Sequence, residues 1–439
     1  MDRRFGPRMG AFGISCACLL MAASLSACGG HTRHKRDSSP SSAPARSYAT
    51  ARAPISIALG DLNGDDKPDL VTANFGADSV SVFVNRADGG FRTRRDLLTG
   101  DGPFSVAIGD LNHDSKPDLA TANGNSNTLA VLLNRGNGNF LALRPYPTER
   151  GPGSVAIGDL NGDRKPDVAT ANFLSNTVSA FANRGDGAFQ SMGISATRKG
   201  PASVAVGDMN GDGRLDLATA DFRSNSVSVF VNRGDESFKR GRNYLTGDYP
   251  ISIAICDLNG DRKPDLATAN VDASTVAVLL NRGDGSLRAK QSYATGAGPH
   301  SVAIGDLNGD RKPDLVTANA VADTVSVLLN RGDGSFRRRL DRRTGDFPRS
   351  VAIGDLNGDL KPDVVTANLK AKTISVLLDV PGSARGARSG QRASWSCSGV
   401  GSGASGRIRR SATPKLRASS DTFLRTGFDS VEPRYVRPR

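Results

Sequence analysis

The sequence predicts an all-β fold: a seven-bladed β-propeller of four-stranded blades, closed by an N-terminal strand that completes the last blade. Three observations lead to this prediction. The string Gly-Asp-Leu-Asn-Gly-Asp recurs seven times with small variations, at a constant interval of 49 residues. Each unit holds short runs with strand patterns, and no window has the 3.6-residue period of a helix. The last unit lacks its fourth run, whereas a surplus run, Ser47–Thr50, precedes the first unit.

Residues 301–350 illustrate one unit. Ser301–Gly305 alternates small and branched residues, an Asp-, Asn- and Gly-rich loop follows, and Asp314–Asn319 is a second β-branched run. Thr324–Asn330 alternates as a third strand, and a turn then leads into a weaker fourth strand. A solenoid of stacked units is the alternative, but seven units without distinct capping repeats favour a closed ring.

The surplus N-terminal run is the reason to expect closure. Ser47–Thr50 matches Ser292–Thr295 and Asn243–Thr246, which are both fourth strands of their units. The run is therefore predicted to supply the outer strand of the seventh blade, which would remove two open sheet edges.

The composition divides the chain into a balanced body and basic ends. Residues 47–380, the predicted propeller, carry 38 Lys and Arg against 39 Asp and Glu, although the whole chain has a net charge of +13. The tail, residues 381–439, is rich in Gly, Ser and Arg and is predicted to be disordered. Because the positive excess lies in the ends, no nucleic-acid partner is expected for the body.

The first residues are typical of an export signal. Arg3, Arg4 and Arg8 precede a mainly apolar stretch, so residues 1–27 are predicted to be a signal peptide and residues 28–46 a flexible tether. The ending Leu25–Cys28 resembles the bacterial lipobox, which implies a lipoprotein-type signal and lipidation of Cys28. An ordinary signal peptide or an uncleaved anchor helix is the alternative. The protein is expected to be exported as an outer-membrane or cell-surface lipoprotein, with the periplasm or the extracellular space as alternatives.

The repeated loop has the composition of a calcium site. In Asp61–Asp69, oxygen-bearing side chains occupy positions 1, 3, 5 and 9, and position 7 offers its backbone carbonyl. Calcium takes six to eight oxygen ligands, so up to seven ions are expected, whereas magnesium prefers a stricter octahedron. Cys and His are absent from the ligand positions, which argues against zinc or iron. A metal-free Asx-turn hairpin is the alternative.

The predicted ligands recur at the same five positions in every loop. They are Asp61, Asn63, Asp65, Lys67, Asp69, Asp110, Asn112, Asp114, Lys116, Asp118, Asp159, Asn161, Asp163, Lys165, Asp167, Asp208, Asn210, Asp212, Arg214, Asp216, Asp257, Asn259, Asp261, Lys263, Asp265, Asp306, Asn308, Asp310, Lys312, Asp314, Asp355, Asn357, Asp359, Lys361 and Asp363.

On these loops the units resemble FG-GAP/VCBS repeats, the family that includes the integrin α-subunit propeller. The resemblance covers about residues 47–379. It implies calcium on one face of the ring, between the first and second strands of each blade, and partners on the opposite face. Position 6, often Gly in the family, is Gly only at Gly213, and position 4 is His113 in the second repeat. These departures imply weaker affinity in the loops concerned.

The remaining motifs favour binding over catalysis. Arg-Gly-Asp occurs four times, but each copy has the composition of a hairpin turn. No Ser/His/Asp or Cys/His set recurs in plausible proximity, so the protein is predicted not to be an enzyme. We expect a monomeric scaffold at the bacterial envelope that binds an unknown protein or glycan and meets the membrane only through a lipid anchor. An envelope polysaccharide lyase or hydrolase is the alternative.

A binding surface is expected where the repeats differ most. The connections between second and third strands, and those between blades, vary along the chain, whereas the Asp-rich loops barely do. The varied residues include Phe75, Phe104, Phe173, Phe222, Arg223, Tyr249 and His300.

Overall fold

The computed structural model describes residues 45–92, 94–141 and 143–378, together with the backbone of Ser398–Gly399. Seven antiparallel sheets form the blades of a β-propeller, and the 49-residue repeat is the unit that builds one blade. The described residues contain almost no helix, only the 3₁₀ turns Phe75–Ala77 and Phe222–Ser224. The predicted all-β propeller is therefore confirmed.

The innermost strand of each blade begins at a proline, which lacks an N–H group and is tolerated at the first residue of a strand. Seven such strands surround the axis: β2 (Pro54–Gly60), β6 (Pro103–Gly109), β10 (Pro152–Gly158), β14 (Pro201–Gly207), β18 (Pro250–Cys256), β22 (Pro299–Gly305) and β26 (Pro348–Gly354).

The second and third strands are almost entirely buried, because neighbouring blades cover both of their faces. The second strands are β3 (Asp69–Asn74), β7 (Asp118–Asn123), β11 (Asp167–Asn172), β15 (Asp216–Asp221), β19 (Asp265–Asn270), β23 (Asp314–Asn319) and β27 (Asp363–Asn368). The third strands are β4 (Ser79–Phe83), β8 (Thr128–Leu132), β12 (Thr177–Asn183), β16 (Ser226–Asn232), β20 (Thr275–Leu279), β24 (Thr324–Leu328) and β28 (Thr373–Leu377).

The outer strands are mostly exposed. In blades one to six they are β5 (Arg95–Leu98), β9 (Arg144–Pro147), β13 (Phe189–Ala196), β17 (Phe238–Leu245), β21 (Gln291–Ala294) and β25 (Leu340–Arg343). In blade seven this place is taken by β1 (Arg46–Ala49), which pairs with β28 so that Tyr48 lies opposite Ile374. How much this pairing stabilises the ring stays a prediction.

The hydrophobic core is divided into layers between blades. One layer joins Ile57 and Phe83 of blade one to Val365 and Ile374 of blade seven, with Tyr48 packed against it. The other blade pairs have equivalent layers. Burial on both faces of each sheet explains why the branched runs of the second strands are continuous rather than alternating.

A ring of serine hydrogen bonds joins the innermost strands. The backbone N–H of Val106 donates to the Oγ of Ser56 at 3.3 Å, and Ile57 donates to Ser350 of blade seven at 3.2 Å. The five intervening bonds run from Val155 to Ser105, Val204 to Ser154, Ile253 to Ser203, Val302 to Ser252 and Val351 to Ser301. The small residue that the repeat places on this strand thus links each blade to the next.

The predicted signal peptide, Cys28, most of the tether and most of the tail lie outside the described residues. The tail contributes one described element, β29 (Ser398–Gly399), which pairs with β18 and adds a fifth strand to blade five. Among the described residues no helix is long and apolar enough to span a membrane.

Candidate functional site

The Asp-rich loops connect the first and second strands of all seven blades. Since every blade has the same strand order, these loops leave the sheets at the same end, which we call the loop face. The connections between second and third strands leave at the other end, which we call the opposite face. Each loop keeps its five predicted ligand residues together within nine consecutive residues.

The first aspartate of each loop organises the backbone that follows it. Asp61 accepts N–H bonds from Gly64 at 2.7 Å and Asp65 at 3.1 Å on Oδ1, and from Asp66 at 2.8 Å on Oδ2. Asn63 Oδ1 accepts the N–H of Asp65 at 2.9 Å. These oxygens keep further lone pairs, so a backbone bond does not exclude a cation from them.

The sixth residue of every loop has a left-handed backbone. Its φ is 61° at Asp66, 67° at Leu360 and 83° at Gly213. This conformation aims the sixth N–H at the first carboxylate, a bond present in all seven described loops. A side chain in this conformation costs about 1 kcal/mol or more. The six loops without Gly therefore keep the geometry at a cost in local strain.

The ninth aspartate is buried and is held by two backbone donors. Asp69 is fully buried and accepts the N–H groups of Leu62 at 3.0 Å and Asn85 at 2.8 Å. Burial, with a smaller contribution from the nearby carboxylates of Asp65 and Asp61, raises its pKa to about 6 against the lowering effect of the two backbone bonds. Burial likewise raises the pKa values of the equivalent aspartates, to about 7 at Asp118, Asp265 and Asp314 and to about 6 at Asp167 and Asp216.

In six of the seven loops the basic residue at position 7 forms an ion pair inside its own loop, whereas Lys263 of loop five donates to the carbonyl of Arg282. The Lys165 ammonium lies 3.1 Å from Asp163 Oδ2, and the Arg214 guanidinium lies 2.7 Å from Asp212 Oδ2. Similar pairs of 3.3–3.8 Å occur in the first, second, sixth and seventh loops. Sequence reasoning assigned only a carbonyl role to this residue, whereas its side chain offsets part of the negative charge of the loop.

The donor set fits a hard cation in chemistry, but the carboxylates are not gathered into a cage. All predicted ligand atoms are oxygens, as calcium requires. Within the described residues, however, no three Asp, Glu, His or Cys side chains are close enough together to hold a metal ion. Calcium binding would therefore need the first, fifth and ninth carboxylates of a loop to turn toward one another.

A network that sequence reasoning missed joins six of the seven loops to the next blade. Asn183, at the end of β12, donates from Nδ2 to the carbonyls of Leu111 and Pro166, both at 2.9 Å. Its backbone N–H donates to Asp167 at 2.7 Å, and its Oδ1 accepts from Gly185 at 2.8 Å. Asn85, Asn134, Asn232, Asn281 and Asn330 make the same bonds to the preceding blade. The only sequence signal was an Asn before each Arg-Gly-Asp-like turn.

The opposite face carries aromatic clusters that are packed among themselves. Phe173 and Phe222 are 5% and 8% exposed, and Phe222 stacks on Tyr249 with ring centroids 4.7 Å apart. The guanidinium of Arg223 lies 4.9 Å from the centroid of Phe173. Phe173 and Phe222 were expected to meet a partner, but most of their surface is already covered, so Tyr249 and Arg223 are the better candidates.

One position on the opposite face differs in every blade. It is the second residue after the second strand of the blade. Its seven occupants are Gly76, Asn125, Leu174, Arg223, Asp272, Val321 and Lys370. Leu174 and Val321 are 41% and 47% exposed. The tips of the connections therefore carry seven different residues on an otherwise repeated frame, and five of them, Leu174, Arg223, Asp272, Val321 and Lys370, are exposed.

A basic cavity lies where blades three and four meet. It has a volume of about 570 Å³ and is lined by Asn176, Thr197, Arg198, Lys199, Ser224 and Arg240. Arg198 stands where four other repeats have Gly. Nearby, Asp221 replaces the Asn of the other six second strands, and burial raises its pKa to about 6, although Arg240 and Arg198 partly offset the shift.

His300 does not have the properties of a general acid or base. It is 5% exposed, and its Nδ1 lies 2.9 Å from the carbonyl oxygen of Gly298. Burial, together with the positive charge of Arg349, lowers its pKa to about 3. The imidazole is therefore neutral at physiological pH and packs against Phe347, with ring centroids 5.7 Å apart.

Comparison with known proteins identifies the repeats. A family model described as an FG-GAP-like repeat matches residues 61–121, 116–170, 159–219, 209–268, 257–317 and 306–366. These matches cover more than half of the chain. No curated protein sequence matches it.

Solved structures with the same fold are distant in sequence. BBS1N in complex with ARL6DN is 13% identical, with a TM-score of 0.55, over 75% of this chain and 93% of that one. Virginiamycin B lyase from Staphylococcus aureus is 10% identical, with a TM-score of 0.51, over 76% and 98%. A functionally unknown protein from Desulfotomaculum acetoxidans is 12% identical, with a TM-score of 0.52, over 71% and 96%. At these identities the likeness concerns the fold alone.

Proposed function

This chain belongs to the FG-GAP-like repeat family. We propose that it is a non-catalytic, calcium-binding β-propeller that binds an acidic protein or glycan at the bacterial cell envelope. A single observation carries the proposal. The loop face repeats nearly the same residues in every blade, whereas the opposite face carries a different residue at each connection tip. Repeated residues serve what all blades need, and a specific site requires residues that occur once.

Calcium is proposed for the loop face because of the charge gathered there. Each loop holds carboxylates at positions 1, 5 and 9, with a fourth at Asp66 in loop one, and the position-7 cation offsets one of these charges. An Arg at position 6 offsets a second charge in loops three, five and six, so every loop remains net negative. The side chains at positions 1, 3, 5 and 9 and the carbonyl at position 7 would hold the ion. When bound, calcium would supply positive charge that allows the ninth carboxylate to ionise despite its burial.

The basic cavity between blades three and four is the proposed binding site. Arg198, Lys199 and Arg240 present three positive charges, and Asn176 and Ser224 add hydrogen-bonding groups. Such a set suits carboxylate, sulfate or phosphate groups on a partner. The opposite face thus combines a charged site with the exposed tips of Leu174 and Arg223 beside it.

An array of neutral and acidic glycans, together with acidic peptides, tests this site. The full chain should be retained by uronate-, sulfate- or phosphate-bearing probes, and Arg198→Gly should lower retention several-fold. That variant restores the residue of four other repeats and leaves the blade intact. Arg150→Ala, which removes the equivalent of Lys199 in blade three, is the matched control. Equal retention of neutral and acidic probes, or no effect of Arg198→Gly, would exclude the cavity as the site.

The non-catalytic assignment is supported by the state of His300. A neutral, buried imidazole packed on Phe347 is poorly suited to proton transfer. Incubating the protein with a panel of acidic polysaccharides should leave their chain lengths unchanged. Depolymerisation that Arg198→Gly abolishes would favour the lyase or hydrolase alternative.

The envelope location depends on Leu25–Cys28, which lie outside the described residues. In a bacterial host the protein should partition with membranes, and Cys28→Ala should release it. Unchanged partitioning of the variant would reject lipidation as the anchor.

A further inference from the structure

Cys256 occupies a position at which the other six inner strands have glycine. The matching residues are Gly60, Gly109, Gly158, Gly207, Gly305 and Gly354. A Cβ added at these glycines would come within 2.8–3.2 Å of a side chain, in most cases of the next blade. In blade five, Cys256 is 1% exposed and shares a core layer with Ile304 of blade six. A side chain here is therefore accommodated against the repeat pattern, and packing alone does not explain it.

The same strand carries a feature found in no other described blade. Ser398–Gly399 pairs antiparallel with the inner edge of β18, with Ser398 opposite Ile255 and Gly399 opposite Ala254. This backbone also approaches β14 and β22, the inner strands of the two neighbouring blades. The pair therefore lies inside the ring of inner strands, at the central channel.

Two further observations connect these features. Cys256 is disulfide-bonded. Ser398 pairs with Ile255, and in the sequence Cys397 directly precedes Ser398 while Cys256 directly follows Ile255, so an antiparallel pairing extended by one residue would oppose the two cysteines. Directly opposed residues of an antiparallel pair have Cα atoms about 4.5 or 5.5 Å apart, and both distances suit a disulfide. The other cysteines, Cys16, Cys18 and Cys28, belong to the predicted signal and lipidation site.

We propose that Cys256 and Cys397 form an intramolecular disulfide that anchors the C-terminal segment as a fifth strand on blade five, inside the central channel. The two thiols lose two protons and two electrons as the S–S bond forms. The disulfide of a thiol–disulfide oxidoreductase, or of a small disulfide, accepts these electrons and is reduced to two thiols. The Gly-to-Cys change in one repeat is then explained by a task that only this blade performs.

Peptide mapping tests the proposal directly. The full chain is produced in an oxidising compartment, its monomer fraction is unfolded in the presence of an alkylating agent, and trypsin digestion follows without reductant. Cleavage after Arg and Lys leaves Cys256 in peptide 243–262 and Cys397 in peptide 393–407, with one cysteine in each. The expected product is these two peptides joined, separating into their individual masses on reduction. An alkylated 243–262 peptide, or one joined to a fragment that contains Cys16, Cys18 or Cys28, would overturn the proposal.

A pair of variants separates the link from the fold. Cys256→Gly restores the residue of the other six blades, so the propeller should remain folded while peptide 393–407 is recovered free. Cys397→Ser should release peptide 243–262 as a separate, unlinked peptide without altering the blade. If the joined product occurs only in covalent dimers, the intramolecular bond is excluded.

Discussion

The two faces of this propeller differ in how far their residues repeat from blade to blade. On the loop face, the same aspartate, asparagine and basic residue return in blade after blade and bond to one another and to the preceding blade. On the opposite face, one connection position holds seven different residues, and a basic cavity occurs where Arg198 replaces glycine. Repetition here therefore maintains the ring, whereas single-copy residues mark specific sites.

Removing the strand that completes blade seven should have the largest effect. Deleting residues 47–50 removes most of β1 and exposes the β28 edge and the layer that Tyr48 covers. We expect a loss on the order of 5 kcal/mol, or roughly 10 °C in Tm. A thermal melt of the purified chain measures it, and deleting residues 29–44 is the control. Equal Tm values for the two deletions would show that β1 does not stabilise the ring.

Replacing one inter-blade asparagine should lower the free energy of unfolding by less than that deletion does, but by more than any substitution at a connection tip. Asn183→Ala leaves the buried carbonyls of Leu111 and Pro166 without their donor, at a cost of about 2–4 kcal/mol. Leu174→Asn, which introduces the residue of blade two at an exposed tip, should change stability by less than about 0.5 kcal/mol. Urea unfolding of both variants provides the comparison. A tip variant as costly as Asn183→Ala would remove the distinction between the faces.

The single-copy aspartate in blade four should show a pH-dependent effect of about 3 kcal/mol at most. Burial raises the pKa of Asp221 to about 6, above the ordinary value of 3.8. The stability linked to this group is therefore present below pH 3.8 and is lost as the pH rises through 6. Asp221→Asn, which restores the residue of the other six blades, should stabilise the protein at pH 8 and much less at pH 4.5. A gain independent of pH would show that Asp221 does not titrate in this way.

The fold could be predicted almost entirely from the sequence, but the site only in part. A 49-residue period, with strand runs before and after an Asp-rich loop, determines the blade, because both signals are local. The partners of Asn183 are not local: it bonds to Leu111, which lies 72 residues earlier in a neighbouring blade. For the same reason, the burial of Phe173 and Phe222 could not be read from one repeat, since residues of adjacent blades cover them. No sequence pattern predicted the pairing of Ser398–Gly399 with β18.

A thermal melt of calcium-loaded protein against excess chelator is the most direct test of the account. An ion that binds only the folded state adds about 2.7 kcal/mol per site at a hundredfold excess over Kd. Occupation of even two or three loops should therefore raise Tm by several degrees in 1 mM Ca²⁺, with a smaller rise in Mg²⁺. Replacing Asp159, Asp163 and Asp167 by Asn should remove only the share of one loop. A Tm that chelation does not change, in protein shown to start calcium-loaded, would contradict the assignment of the loop face to calcium.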